Sequence, residues 1–133
     1  MNPITWHAVR VTVHILAATI WVGGQFTLAG LIPVLRRAFP AATRLVARRF
    51  AVLAWSSFAV LVATGIWNVA AEWRQMDHRD RVTLAVKVAL VLVSGAAAGL
   101  HQRARSAAGL AVFGAISALA AVLVVLAGVL LAG

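Results

Sequence analysis

Val11 to Leu35 read VTVHILAATIWVGGQFTLAGLIPVL, 25 consecutive residues without Asp, Glu, Lys or Arg. An α-helix needs ~17–25 predominantly apolar residues to cross the hydrocarbon layer of a bilayer, so this stretch predicts a transmembrane helix. Three further stretches are free or almost free of charge: Phe50–Ala71, Val82–Leu100 (interrupted by Lys87) and Ser106–Gly133. None alternates apolar and polar residues as a barrel strand does, which argues against a transmembrane β-barrel. Of the 133 residues 63% are hydrophobic, and only 12 are basic and 3 acidic, too few charges for the surface of a soluble domain. The sequence predicts an all-α integral membrane protein. We expect one domain over residues 1–133, a four-helix transmembrane bundle with helices at about 5–35, 44–71, 82–104 and 107–132.

A formal net charge of +9 raises the question of nucleic acid, but the basic residues are placed as in a membrane protein. Arg36, Arg37, Arg44, Arg48 and Arg49 flank the first connection, and Arg103 and Arg105 the third. The second connection balances Arg74, Arg79 and Arg81 against Glu72, Asp77 and Asp80. The positive-inside rule then puts connections one and three in the cytoplasm and both termini outside, in a multi-pass inner-membrane protein with no nucleic-acid partner. No basic segment precedes the first apolar run, and the arginine cluster comes after it, so that run is expected to stay as a span rather than be cleaved. There is no cysteine, hence no disulfide and no thiolate ligand.

Asn2-Pro3 ahead of Thr5 suggests a helix start with Thr5 as N-cap, and Trp6 and Trp73 suit an interfacial aromatic belt. Gly23-Gly24 and Pro33 are expected to bend the first helix or end it early. Phe39-Pro40 predicts a turn, with Thr43–Arg49 extending the second helix, and Glu72 to Asp80 predicts an external loop. Gly95 and Gly99 form a GxxxG pair that Gly114 and Ala118 could meet on the fourth helix. Small residues of this kind let membrane helices approach, within the chain or in a homo-oligomer.

Ionisable groups inside these apolar stretches are costly and point to function. His7, Arg10 and His14 share one helix face, and Trp21 lies one heptad deeper on the same line. Thr64, Asn68 and Glu72 follow at spacings of four, as do Thr83 and Lys87. With Arg10, Glu72 and Arg81 as edge markers, His14 and Asn68 lie ~6 Å inside and Lys87 ~9 Å. The expectation is an outer-leaflet polar site of His14, Asn68 and Lys87, with Trp21 beneath and access past His7 and Glu72. Each residue also has a plainer role: His14 as a structural hydrogen-bonder, Lys87 snorkelling to headgroups, Asn68 as interhelical glue and Trp21 as core. His101 is expected at the solvated cytoplasmic boundary, and His78 as a loop residue.

His7 and His14 stand ~10 Å apart along the axis, too far to chelate one ion together. A metal site would therefore combine His14 or His7 with groups from elsewhere, such as His78, Met76, Asp77 or Glu72. Imidazole with thioether suits copper, and imidazole with carboxylate suits zinc or cupric ion. His14 is also a candidate axial ligand for haem b. No nucleotide loop, catalytic triad or paired-carboxylate site is visible.

In order and spacing, several segments resemble the copper-resistance D (CopD-like) membrane domain. They are His14 through Trp21 to Gly23-Gly24, Pro33 with the following arginines, Arg49-Phe50, Thr64-Gly65, Lys87, and His101 to Arg103. The resemblance spans Val13 to about Arg105 and implies copper transport or homeostasis beside a periplasmic copper-binding partner. It would carry over His14, Trp21, Gly23, Gly24, Gly65 and Lys87. The chain has four predicted helices where better-studied members are longer, and no fused copper-binding domain. The His…Trp-x-Gly start and the later Lys also look like the HemJ-type protoporphyrinogen oxidases, which implies a haem-binding redox protein as the enzyme alternative. A non-catalytic accessory membrane subunit is the third reading.

Overall fold

The computed structural model describes residues 5–132, and every regular element among them is helical. They are α1 (Trp6–Ala18), a π-helical turn (Thr19–Gly23), α2 (Gly24–Ala38), α3 (Pro40–Glu72), α4 (His78–Arg103) and α5 (Ala107–Ala132). The first three run on without a break, so Trp6–Ala38, α3, α4 and α5 are four helices long and apolar enough to cross a membrane. The protein is thus an all-α, four-helix, multi-pass membrane protein. It divides into two compact units, Met1–Arg74 and Gln75–Gly133. The Asn2-Pro3 start signal lies outside the described residues.

In the first unit, Thr5 caps α1 as expected, its side chain accepting from Ala8 N–H at 3.2 Å. The rod Trp6–Ala38 and α3 form an antiparallel hairpin with a single non-helical residue, Phe39, at the corner. Pro40 enforces this sharpness. It disfavours helical backbone at the residue before it, and Phe39 sits at φ −140°, ψ 69°. Pro40 then occupies the first helical turn, where its missing N–H costs nothing. So α3 begins at Pro40, and the expected turn shrinks to one residue.

Neither Gly23-Gly24 nor Pro33 ends the first span. Gly23 closes the π turn, Gly24 opens α2, and α2 continues through Pro33 to Ala38. Around this wider turn, side chains give backbone carbonyls extra donors. Thr19 Oγ1 donates to Ile15 O at 2.9 Å, Gln25 Nε2 to Trp21 O at 3.1 Å and Thr27 Oγ1 to Gly23 O at 2.9 Å. Such local bonds compensate backbone groups that lipid cannot solvate. The turn carries Trp21, only 4% exposed, against Phe58 and Trp55, with ring centroids at 4.5 and 5.6 Å. Gly24 lies under the ring of Phe50, so close that a Cβ there would stand 2.6 Å from Phe50 Cε2.

In the second unit, Asp77 and Asp80 form a capping box: Asp77 Oδ1 accepts from Asp80 N at 2.8 Å, and Asp80 Oδ2 from Asp77 N at 3.3 Å. This starts α4 at His78, four residues earlier than its apolar stretch begins, and shortens the predicted loop. His78 is a helical residue rather than a loop residue. Midway along α4 and α5, Ser94 Oγ donates to Ser117 O and Ser117 Oγ to Ser94 O, each at 3.0 Å. Buried Gly95, Ala97, Ala120 and Ala121 provide the close approach this exchange needs. At the far end, His101 Nδ1 donates to Leu110 O at 2.8 Å, tying α4 to the first turns of α5. His101 is therefore a half-buried interhelical tie, where a solvated boundary residue was expected.

Candidate functional site

Antiparallel packing lays the stripe His7, Arg10, His14, Trp21 against the stripe Glu72, Asn68, Thr64, Phe58 in matching order. Each of the polar residues His7, Arg10 and His14 therefore meets a complementary group on α3. The uppermost layer is built on Arg10, whose side chain is only 8% exposed. Its Nε donates to Asn68 Oδ1, and its Nη2 donates to Glu72 Oε1 at 2.5 Å and to His7 Nδ1 at 3.0 Å. Guanidinium groups only donate, so Nδ1 of His7 is the acceptor. His7 Nδ1 also stands 3.6 Å from Glu72 Oε1.

One turn deeper lies His14, half-buried. Its Nδ1 is 2.8 Å from Thr64 Oγ1. The Thr64 hydroxyl has one proton, and it goes along α3, to Val60 O at 2.7 Å with Leu61 O at 3.3 Å. With its proton committed, Thr64 receives a hydrogen bond from His14. Nδ1 of His14 then bears a proton, and in a neutral imidazole that leaves the lone pair on Nε2. This is how metal-ligating histidines are commonly held, the non-ligating nitrogen donating to a fixed acceptor. Gly65 lies alongside, where a Cβ would be 3.6 Å from His14 Cε1, an ordinary contact. Two turns below His14, Trp21, Trp55 and Phe58 form an aromatic floor.

The expected site residues are thus placed as follows. His7, Arg10, Asn68 and Glu72 form one network, and His14 belongs to the layer beneath, with Thr64. Asn68, expected to line the His14 site, spends its carbonyl oxygen on Arg10. Lys87 lies in the second unit, half-buried on α4 and beside Gly128 of α5, where a Cβ would be 3.3 Å from Nζ. No hydrogen bond or ion pair engages the Lys87 ammonium among the described residues. Met76 is half-buried in the connection before α4, and His78 is exposed in its first turn. Among the described residues, no three His, Cys, Asp or Glu side chains are grouped to hold a metal ion.

Two residues were underestimated from sequence. Arg10, used as a marker of the membrane edge, is buried at the hub of the upper layer. Thr64, seen as part of a polar stripe, is the residue that orients His14. The available signal was complementarity: one stripe offers cationic and imidazole groups, and the other offers a carboxylate, an amide and a hydroxyl at matching spacing. No protein-family model matches the chain, and neither a curated protein nor a solved structure matches it.

Proposed function

We propose that this protein handles copper in the cytoplasmic membrane as a CopD-like protein, with His14 as the protein nitrogen that meets the ion. Both termini, and the end of the first unit that carries Arg10 and Glu72, face outwards. The ion is cargo, passed to or from a periplasmic copper-binding partner or carried across the membrane. The single observation that carries this reading is the Thr64–His14 hydrogen bond. It presets the imidazole tautomer in which Nε2 carries the lone pair, the form that a copper ion binds. The resemblance of the segments around His14, Trp21, Gly23-Gly24, Gly65 and Lys87 supports the same choice of ion.

Metal analysis and a visible spectrum of the purified full-length chain test it. Copper retained by the parent chain, lost in His14→Ala and accompanied by no Soret band is the expected result. A Soret band that His14→Ala abolishes would replace copper with haem b and a HemJ-like redox role. Neither copper nor haem after loading would leave an accessory membrane subunit.

A further inference from the structure

Five arginines, Arg36, Arg37, Arg44, Arg48 and Arg49, surround the corner at Phe39, and all five are exposed. The first acidic residue in the chain is Glu72, at the opposite end of α3, so nothing nearby in sequence offsets their charge. Among the described residues, none of the five side chains takes part in a hydrogen bond or ion pair. Their position along the helices is sharply defined. On α2, Leu31 and Val34 are exposed apolar residues at 50% and 62%, and Arg36 and Arg37 follow within one turn. On α3, Val52 and Leu53 are exposed at 67% and 54%, and Arg48 and Arg49 precede them within about one turn. Exposed apolar surface thus gives way to arginine on both arms of the hairpin, about two turns nearer the corner on α2 than on α3, because the register that pairs Arg10 with Asn68 and His14 with Thr64 sets Arg48 and Arg49 level with residues 29–30.

We infer that this corner is a binding site for anionic phospholipid headgroups. A bilayer's headgroup layer is roughly 5–7 Å deep on each side, and at ~1.5 Å rise per residue the five arginines are spread over about 12 Å along the hairpin axis, so it is their long side chains that converge on it. Arg44 lies between the two pairs, and the length of an arginine side chain lets Arg48 and Arg49 reach outwards from the apolar edge to the phosphates. The guanidinium fork pairs with two phosphate oxygens at once, and five such forks with no competing carboxylate create a strongly positive rim. A soluble polyanion would have to enter the headgroup layer to reach Arg48 and Arg49. Lipid phosphates are already there.

The experiment uses the full-length chain, purified and exchanged into nanodiscs of phosphatidylcholine with a minor fraction of phosphatidylglycerol. Native mass spectrometry of the released protein counts lipids retained. The parent chain is expected to retain phosphatidylglycerol well above its share of the disc. Each basic residue at an anionic surface is worth about fivefold, so Arg44→Gln/Arg48→Gln/Arg49→Gln should lower that enrichment by on the order of 100-fold. Arg74→Gln/Arg79→Gln, at the other connection, should leave it unchanged. If the triple glutamine variant does not fold, Arg44→Lys/Arg48→Lys/Arg49→Lys serves instead, expected to keep part of the enrichment while losing the bidentate contacts. Displacement of the lipid by millimolar inorganic phosphate, equal retention of both lipids, or selective capture of RNA with no lipid preference would overturn the assignment.

Discussion

His14 on α1 and Thr64 on α3 are joined through Nδ1 and Oγ1 at 2.8 Å, and the Thr64 proton is already given to Val60 O. That order of donation turns a lone membrane histidine into an oriented one. Thr64→Val keeps the shape of the side chain and removes the acceptor. On the proposed copper reading, affinity should fall about 10–100-fold, as when the outer partner of a metal-bound histidine is lost, while Thr64→Ser keeps most of it. Competitive titration with a chromogenic chelator measures the change, and equal affinities for parent and Thr64→Val would detach the threonine from binding.

The Arg10 layer should matter more for stability than for ligand binding. Breaking a buried ion pair by removing one partner costs ~3–5 kcal/mol. Glu72 is 40% exposed, and water makes good part of its loss, so Glu72→Gln should cost only about 1–2 kcal/mol. Arg10→Ala removes the hub from three partners and should cost the larger amount, about 3 kcal/mol. Unfolding titrations in mixed micelles rank the two variants. The reverse order would mean that the carboxylate, rather than the guanidinium, organises the layer.

Gly24 and Phe50 make a steric prediction. Gly24→Ala places a methyl 2.6 Å from Phe50 Cε2, which forces the ring aside at an expected cost of about 1–3 kcal/mol. Shortening the ring in Gly24→Ala/Phe50→Leu should restore part of that stability. A double variant less stable than either single one would show that Gly24 serves something other than the ring.

The reciprocal serines of α4 and α5 should be coupled. Ser94→Ala or Ser117→Ala each deletes the hydrogen bond to the other serine's carbonyl, worth about 0.6 kcal/mol for polar contacts between membrane helices, together with the 3.5 Å contact between the two hydroxyls. Because each hydroxyl donates to the other residue's backbone, the first loss loosens the second. The double variant should therefore differ from the sum of the singles by at least about 0.5 kcal/mol in a double-mutant cycle. Strict additivity would indicate two independent bonds.

The four spans were legible because apolar length is a local property that lipid enforces directly. Caps were only half legible. Thr5 reads as an N-cap from its place before an apolar run, but the Asp77–Asp80 box lies among charged residues and extends α4 outwards to His78. Pro40 marked a corner whose tightness depended on how the two arms meet. Gly23-Gly24 looked like a break, yet lipid penalises an open backbone. The chain answers with a π turn supported by Thr19, Gln25 and Thr27 side chains.

The polar groups divide along the same line. Spacing along a helix shows that His7, Arg10 and His14 share a face, and that Thr64, Asn68 and Glu72 share another. It cannot show which member of one stripe meets which member of the other, because that depends on the axial register between α1 and α3. Packing sets that register, through Trp21 on Phe58 and Phe50 on Gly24. The result gives Arg10 rather than His14 to Asn68, and gives His14 to Thr64. Apolar length along the chain established where it crosses the membrane. Contacts across the hairpin established which histidine nitrogen donates to Thr64, since a hydrogen-bond partner is chosen by packing and not by neighbours in sequence.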